Sequence, residues 1–392
     1  MRNLIILRGP DGSGKSRLVH EMKLSQWHVD HSAIIRLQSS PQLDEDGLSF
    51  VPPYALRKAH EHLIATLKVK LQQSEFIVCE LADSGPPKRG QHENRTDGAI
   101  QEIVTLSEKY RYSCTIVDFP ATEGYFSVAP CPVPVLRVTP AEFRAAFSHI
   151  ANPVVELADI DAIVAIGDIH AHSGNLERCL RQGASKGKIA WIFTGDFINK
   201  GPNPAHTLRL LASFAEEQQH CYLIAGNHEI ILEDWAWRRA PHRDVFSRDT
   251  HPDLQSSRYT RKEARSFLGL LQDHVRLAWN GYDILVTHGG LSAPGEHPGL
   301  LPGALKRSGV GHPGTDIDRL WERNTDGAQI QIHGHRNHHM VNVSQSSRSF
   351  NLEGVDAFGA IQGLVLQPSD SDGYMARGFS LPITPAHARA SK

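Results

Sequence analysis

Cysteine, charge of one sign and long apolar runs are all scarce in this chain of 392 residues. The five cysteines, Cys79, Cys114, Cys131, Cys179 and Cys221, are odd in number and widely spaced. That argues against a disulfide framework and for buried free thiols in a reducing compartment. A formal net charge of -2 excludes a uniformly basic surface, so any phosphate-bearing partner must be met by a local patch. No apolar run reaches the roughly 20 residues of a membrane span, and the opening run Leu4–Leu7 is too short for a signal-peptide core. The expectation is a cytoplasmic protein with no membrane partner. Internal repeats and low-complexity tracts are missing too.

What is present is an ordinary globular composition, 40% hydrophobic and 21% charged, in a chain long enough for two cores. In the N-terminal part the apolar runs Leu4–Leu7, Ala33–Leu37, Phe76–Cys79, Cys114–Val117 and Val135–Val138 read as strands. Between them Leu56, Leu63, Leu67 and Leu71 share one helical face, as do Ile100, Ile103 and Val104. This alternation predicts a parallel α/β sheet. The proline-bearing stretches Gln38–Tyr54 and Ser84–Arg95 read as loops or lids. Thr139–Asp159 is helix-like and broken at Asn152-Pro153, which marks a linker. A second apolar series, Ala162–Ile166, Ile189–Phe193, Tyr222–Ala225 and Ile284–Val286, follows. The expected division is a nucleotide-binding domain over 1–148, a second α/β domain over 160–380 and a flexible tail over 381–392.

Five segments carry chemistry: Gly167-Asp168-Ile169-His170, Gly195-Asp196-Phe197-Ile198-Asn199-Lys200-Gly201, Gly226-Asn227-His228-Glu229, His288-Gly289-Gly290 and Gly334-His335. Each falls at the C-terminal end of an apolar run, where side chains from separate strands can converge on one rim. Carboxylate and amide oxygens suit hard divalent metals, and imidazoles suit borderline ones. With 23 histidines in the chain, most are bystanders, and spacing selects the ligands. His172, His333, His338 and His339 read as supporting or solvated.

This set resembles the calcineurin-like metallophosphoesterases, in their phosphoprotein-phosphatase branch, over roughly residues 160 to 368. The resemblance implies an α/β sandwich holding two divalent metals, manganese first, with iron, zinc, nickel or magnesium as alternatives. Asp168 and His170 would hold one metal, Asp196 would bridge, and Asn227, His288 and His335 would hold the other. Such metals supply Lewis acidity to a phosphate and its attacking water. His228 would be the general acid. Asp318-Arg319-Leu320-Trp321-Glu322-Arg323 resembles the branch's Trp-containing segment, which makes Arg323 a phosphate-gripping residue. Phe350-Asn351-Leu352-Glu353-Gly354 resembles the closing Asn-x-Asp-x-Gly, with Glu353 in place of the aspartate. Asn199 stands where the family orients its histidine with an aspartate, which leaves a neutral hydrogen-bond acceptor and lowers the pKa of His228. Lys200 replaces an arginine that grips phosphate through two parallel hydrogen bonds, and an ammonium cannot reproduce that fork. Ala171 replaces a glycine, which stiffens the turn.

At the other end, Gly9-Pro10-Asp11-Gly12-Ser13-Gly14-Lys15-Ser16 matches G-x-x-x-x-G-K-[ST] between a strand and a helical pattern. Its glycines let backbone N–H groups cradle phosphate, Lys15 neutralises the transferring group and Ser16 holds Mg2+ beside ATP or another nucleoside triphosphate. The domain resembles the polynucleotide kinases. Those place an aspartate after the second strand and an arginine three residues on, and Ala33–Ser40 lacks the aspartate. Asp30 and Asp44 stand nearby, Glu80-Leu81-Ala82-Asp83-Ser84 resembles the family's Asp-Ala-Thr-Asn, and Arg95 is a candidate lid arginine.

The order of the two domains resembles bacterial polynucleotide kinase-phosphatase. It implies a 5′-hydroxyl kinase joined to a 3′-phosphatase or 2′,3′-cyclic phosphodiesterase acting on nucleic-acid ends, RNA before DNA. No ligase motif follows residue 368, so a separate ligase is implied. The alternative is a protein serine/threonine or dinucleoside-tetraphosphate phosphatase with a nucleotide-sensing loop.

Overall fold

Successive side chains of the apolar strands point to opposite faces of their sheet, and both faces are buried, which builds the layers. The computed structural model describes the chain apart from residues 1, 11, 41, 44, 46, 48, 74–75, 83–94, 111, 120–132, 152–153, 184–186, 238–243, 296–297, 312–313, 337–346, 370–372 and 384–392. Two compact units are present, Met1–Asn152 with Gly299–Pro302, and Pro153–Pro298 with Gly303–Lys392.

The first unit holds a five-stranded parallel sheet in the order His28–Asp30, Phe76–Glu80, Arg2–Arg8, Tyr112–Asp118, Val135–Arg137. Leu4, Ile6, Ile77 and Cys79 face Leu63 and Leu67 of the helix Pro53–Gln73 and Ile100 and Ile103 of the helix Arg95–Lys109. Ile5, Leu7 and Val78 face the opposite way, onto Leu18, Val19, Phe143 and Phe147.

The run Ala33–Leu37 is not a strand. The second strand is His28–Asp30, and residues His31–Gln38 form a helix. Asp30 decides this, because its carboxylate accepts the Ala33 N–H at 3.0 Å and caps the helix. Within Gln38–Tyr54 a short hairpin pairs Gln42–Leu43 with Ser49–Phe50. The break at Asn152-Pro153 follows the helix Pro140–Ala151, and the strand Val154–Glu156 joins a sheet of the second unit. Leu381 and Pro382, expected in the tail, end the strand Gly373–Pro382.

The second unit is a sandwich of a six-stranded and a five-stranded sheet. Ile163, Ala165, Ile192 and Ile224 of the first pack against Leu277, Ile284, Val286 and Ile330 of the second. The alternate residues Val164, Ile166, Trp191 and Phe193 bury themselves under the outer helices. Ala162–Ile166, Ile189–Phe193 and Cys221–Ile224 run parallel, as do Tyr282–Thr287, Gln329–His333 and Ser349–Asn351. Three strand C-termini of each sheet therefore lead directly into the candidate ligands. Among the described residues no helix is long and apolar enough to cross a membrane, and Cys79, Cys114, Cys179 and Cys221 are free. Cys131 lies outside the described residues.

Candidate active site

Asp168, Asp196 and Asn227 leave three of the four parallel strands of the first sheet, and His288, His335 and Glu353 leave the three parallel strands Tyr282–Thr287, Gln329–His333 and Ser349–Asn351 of the second. Three overlapping clusters result, each with ligand atoms within 4.8 Å of one another: His170, Asp196 and His228; Asp196, His288 and His335; and Asp168, His170 and Glu353. Asp196 and His170 each belong to two. Asp168, His170, Asp196, His288 and Glu353 are buried to within about 2% of full enclosure.

The backbone here is bent into an unusual shape. His170, Ala171, Asp196, Asn199, Lys200 and His335 all have φ between 43° and 65°, a left-handed conformation that costs on the order of 1 kcal/mol or more per residue and persists only where packing enforces it. Glycine supplies the close approaches. A Cβ on Gly226 would lie 2.5 Å from the Asp196 nitrogen. Glu229 ties these loops together, its Oε2 accepting from the N–H groups of Asp196 at 3.0 Å and Gly226 at 2.8 Å, and its Oε1 from Phe197 at 2.8 Å. Burial, with Asp196 nearby, pushes the Glu229 carboxyl up to about 7.

Donor chemistry fits divalent cations. His170 Nδ1 faces the Ile198 carbonyl at 3.1 Å and His288 Nδ1 the Thr194 carbonyl at 2.8 Å, so each neutral ring donates from Nδ1 and keeps its Nε2 lone pair for the site. His288 Nε2 then points at Asn227 Oδ1 (3.1 Å) and Asp196 Oδ1 (3.3 Å). Acceptor faces acceptor, and only a proton or a cation makes that contact favourable. Although burial opposes its charge, the Asp196 carboxylate holds His288 above its usual value. Burial likewise opposes ionisation of Asp196, but His288, His228 and His170 keep it well below the usual carboxylate range. Asp168 is pushed well above that range by burial and then by Glu353. Burial lowers His335 to about 4, with His288 adding to it.

The contact between His228 and Asn199 differs from the sequence expectation. Asn199 was to offer an acceptor, but its amide nitrogen faces His228 Nδ1 at 2.6 Å. Thr250 is the reason. Its hydroxyl donates to Asn199 Oδ1 at 2.6 Å and accepts from the Asn199 N–H at 3.0 Å, fixing the amide. The neutral His228 ring therefore accepts at Nδ1 and carries its proton on Nε2, which lies 3.8 Å from Asp196 Oδ2. Burial lowers its pKa to about 4, which disfavours the imidazolium that general-acid catalysis requires. Here His228 offers a hydrogen-bond donor.

Lys200 does reach the site. Its Nζ lies 2.5 Å from Asp356 Oδ2 and 3.1 Å from His170 Nε2. Arg323 is exposed on the helix Ile317–Asn324, with its Nε on Asn324 Oδ1 at 3.3 Å. Among the described contacts none joins it to the clusters. Of that segment, Trp321 is buried, and Asp318 holds His333 Nε2 at 3.0 Å. His172 is half-buried and lowered to about 4 by burial and then by His170. His338 and His339 lie outside the described residues. Thr250 and Asp356 were not anticipated, since nothing in local sequence marks a threonine 51 residues from its partner.

In the first unit, Gly9, Gly12 and Gly14 have positive φ. Lys15 is buried, with Nζ donating to the carbonyls of Gly9 at 2.7 Å and Pro10 at 3.0 Å. Ser16 Oγ donates to Glu80 Oε1 at 2.8 Å, from the end of the neighbouring strand. Asp30 caps its helix and lies 3.6 Å from Arg36 Nη2. Arg95 opens the helix Arg95–Lys109, and its side chain, like Asp11, Asp44 and most of the segment Ser84–Arg95, lies outside the described residues.

Strand ends that bring carboxylate, amide and imidazole donors together on one rim of a sandwich define a metal-dependent phosphoesterase. The chain belongs to the calcineurin-like phosphoesterase family, whose sequence profile matches residues 162–366. No curated protein matches it. Among solved structures the chain is similar to a protein serine/threonine phosphatase from Saccharomyces cerevisiae, at 18% identity over 64% of this chain and 93% of that one, with a TM-score of 0.41. It is also similar to a metallophosphoesterase from Sphaerobacter thermophilus, at 17% identity over 57% of this chain and 88% of that one, with a TM-score of 0.38. A cold-active protein-tyrosine phosphatase of a psychrophilic Shewanella shares 16% identity over 59% of this chain and 84% of its own, with a TM-score of 0.35.

Proposed function

We propose that this protein heals broken nucleic-acid ends in the cytoplasm. Its second unit removes 3′-phosphate or opens 2′,3′-cyclic phosphate, and its first phosphorylates 5′-hydroxyl ends from a nucleoside triphosphate with Mg2+. RNA is the preferred substrate, and a separate ligase seals the product. The observation that carries this reading is the pairing, in one chain, of the phosphoesterase donor set with a glycine loop. In that loop the Lys15 ammonium rests on the Gly9 carbonyl and the Ser16 hydroxyl on Glu80, groups whose chemistry supports a triphosphate with Mg2+ as the ligand.

Asp168, His170 and Asp196 would hold one divalent metal, and Asp196, Asn227, His288 and His335 the other, with Mn2+ suiting the mixed oxygen and imidazole donors. When bound, such ions supply Lewis acidity to phosphate and water. The chain's own residues do the rest. Lys200 adds positive charge for the phosphate, and His228 donates a hydrogen bond from Nε2 to the leaving oxygen. In the kinase, Asp30 at the end of the second strand takes the acceptor proton.

Two observations favour a second reading, a phosphatase with a nucleotide-sensing loop. The Asp30 carboxylate already caps a helix, and Ala33 stands where the kinases have arginine. His228, facing an amide N–H, is a weak proton source, which suits a leaving group of low pKa such as a phosphoanhydride. One experiment separates the readings. Oligonucleotides with 5′-hydroxyl and 3′-phosphate ends, in RNA and DNA form, are incubated with a nucleoside triphosphate and Mg2+ or Mn2+. Lys15→Ala should abolish label transfer to the 5′ end alone, and His170→Ala should abolish 3′-phosphate release alone. Turnover of dinucleoside tetraphosphate or phosphopeptide without 3′-phosphate release would establish the second reading.

A further inference from the structure

The strand Ser349–Asn351 delivers Glu353 into the metal-ligand rim, one methylene longer than the aspartate of the related family's motif. The side chain is 1% exposed and firmly placed. Its backbone N–H donates to Asn351 Oδ1 at 3.1 Å, its Oε1 accepts the Asp356 N–H at 2.9 Å, and its carbonyl accepts from Gln362 Nε2 at 2.5 Å. A carboxylate oxygen thus fixed lies within 4.8 Å of ligand atoms of both Asp168 and His170, all three residues buried.

Two carboxylates enclosed side by side repel each other in a medium that screens charge poorly, so a proton or a cation must share the space. The third member is His170, whose Nδ1 is committed to the Ile198 carbonyl and whose Nε2 lone pair turns to the cluster, where the Lys200 ammonium lies 3.1 Å away and a metal ion would displace it. Two anionic oxygens and one imidazole nitrogen form a ligand set suited to a divalent ion, with a charge that such an ion cancels. We infer that Glu353 is a direct ligand of the metal held by Asp168 and His170, and that it shifts that site toward ions that favour oxygen, such as Mn2+, over Zn2+.

This rests on the two-metal reading above, and the test separates the two. Metal-free full-length protein is titrated calorimetrically with Mn2+, with metal content per chain measured after dialysis and Mn2+ pair coupling followed by electron paramagnetic resonance. Native protein should bind two Mn2+ per chain. Glu353→Gln should weaken one of the two by about tenfold or more and lose the coupled signal, while the metal-free protein melts no earlier than native because a buried charge is gone. Glu353→Asp should fall between. If Glu353→Gln bound both ions with native affinity, the carboxylates share only a proton and the inference fails. Native protein binding fewer than two ions would overturn the two-metal reading and this inference with it. Should circular dichroism show Glu353→Gln unfolded, Glu353→Asp decides alone, and native affinity in it overturns the inference.

Discussion

At the scale of single residues, the polarity of one amide decides what the site can do. Asn199 and aspartate have nearly the same shape, yet Thr250 turns the Asn199 oxygen away and leaves its N–H on His228. Aspartate at position 199 would keep one oxygen for the Thr250 hydroxyl and present the other to His228 Nδ1, stabilising the imidazolium. Esters differ in how much they need that proton, because an aryl oxyanion leaves unaided and an alkyl one does not. Asn199→Asp should therefore raise kcat on an alkyl phosphate by about tenfold, a modest part of what a positioned acid can contribute. On p-nitrophenyl phosphate it should change kcat little. Equal gains or losses on both, in steady-state assays at matched metal saturation, would show that His228 does not serve the leaving group.

At the scale of elements, the ligands were legible because each follows an apolar run, and a strand's last residue fixes where the next side chains go. Asp168 after Ile166, Asp196 after Phe193 and His288 after Thr287 need no tertiary knowledge. The second strand was illegible for a converse reason. Ala33–Leu37 is as apolar as a strand, but only Ile34 of it is buried among the core, and Leu37 is 77% exposed. A five-residue run cannot tell helix from strand by period, and the deciding interaction is the Asp30 cap. The roles of Thr250 and Asp356 depend on contacts between distant loops, which no local pattern encodes. The Asp30 cap also yields a test, since asparagine caps nearly as well as aspartate and alanine does not. Asp30→Asn should leave the first unit's melting midpoint unchanged while abolishing 5′ phosphorylation. Asp30→Ala should in addition cost about 1 kcal/mol of stability. Full kinase activity in Asp30→Asn would leave Asp30 a cap and nothing more.

At the scale of the whole molecule, two units with separate cores, each proposed to bind its own ligand, should respond separately. Differential scanning calorimetry is expected to show two transitions. A nucleoside triphosphate with Mg2+ should raise only one, and Mn2+ only the other, each by about 2.7 kcal/mol at a hundredfold excess over Kd. Acid should then act on the Mn2+-responsive transition through its buried histidines, with His274 contributing alongside His172, His228 and His335. His274, on the strand His274–Trp279, is 7% exposed, and its Nδ1 has no hydrogen-bond partner among the described residues. Burial, and then the Lys306 ammonium, hold its pKa well below 6.5, with Asp273 opposing. The unfolded chain takes up a proton at this position near pH 6.5 and the folded one does not, so protonation favours unfolding. The stability that the neutral ring contributes is fully present above pH 6.5 and is lost as pH falls below it, by about 1.4 kcal/mol per pH unit. His274→Leu cannot take up that proton. Its Mn2+-responsive transition should fall less steeply than the native one between pH 6.5 and 5, with the other transition unaffected. Parallel slopes in native and variant protein would mean that His274 is protonated in the folded state and that its burial does not resist the charge.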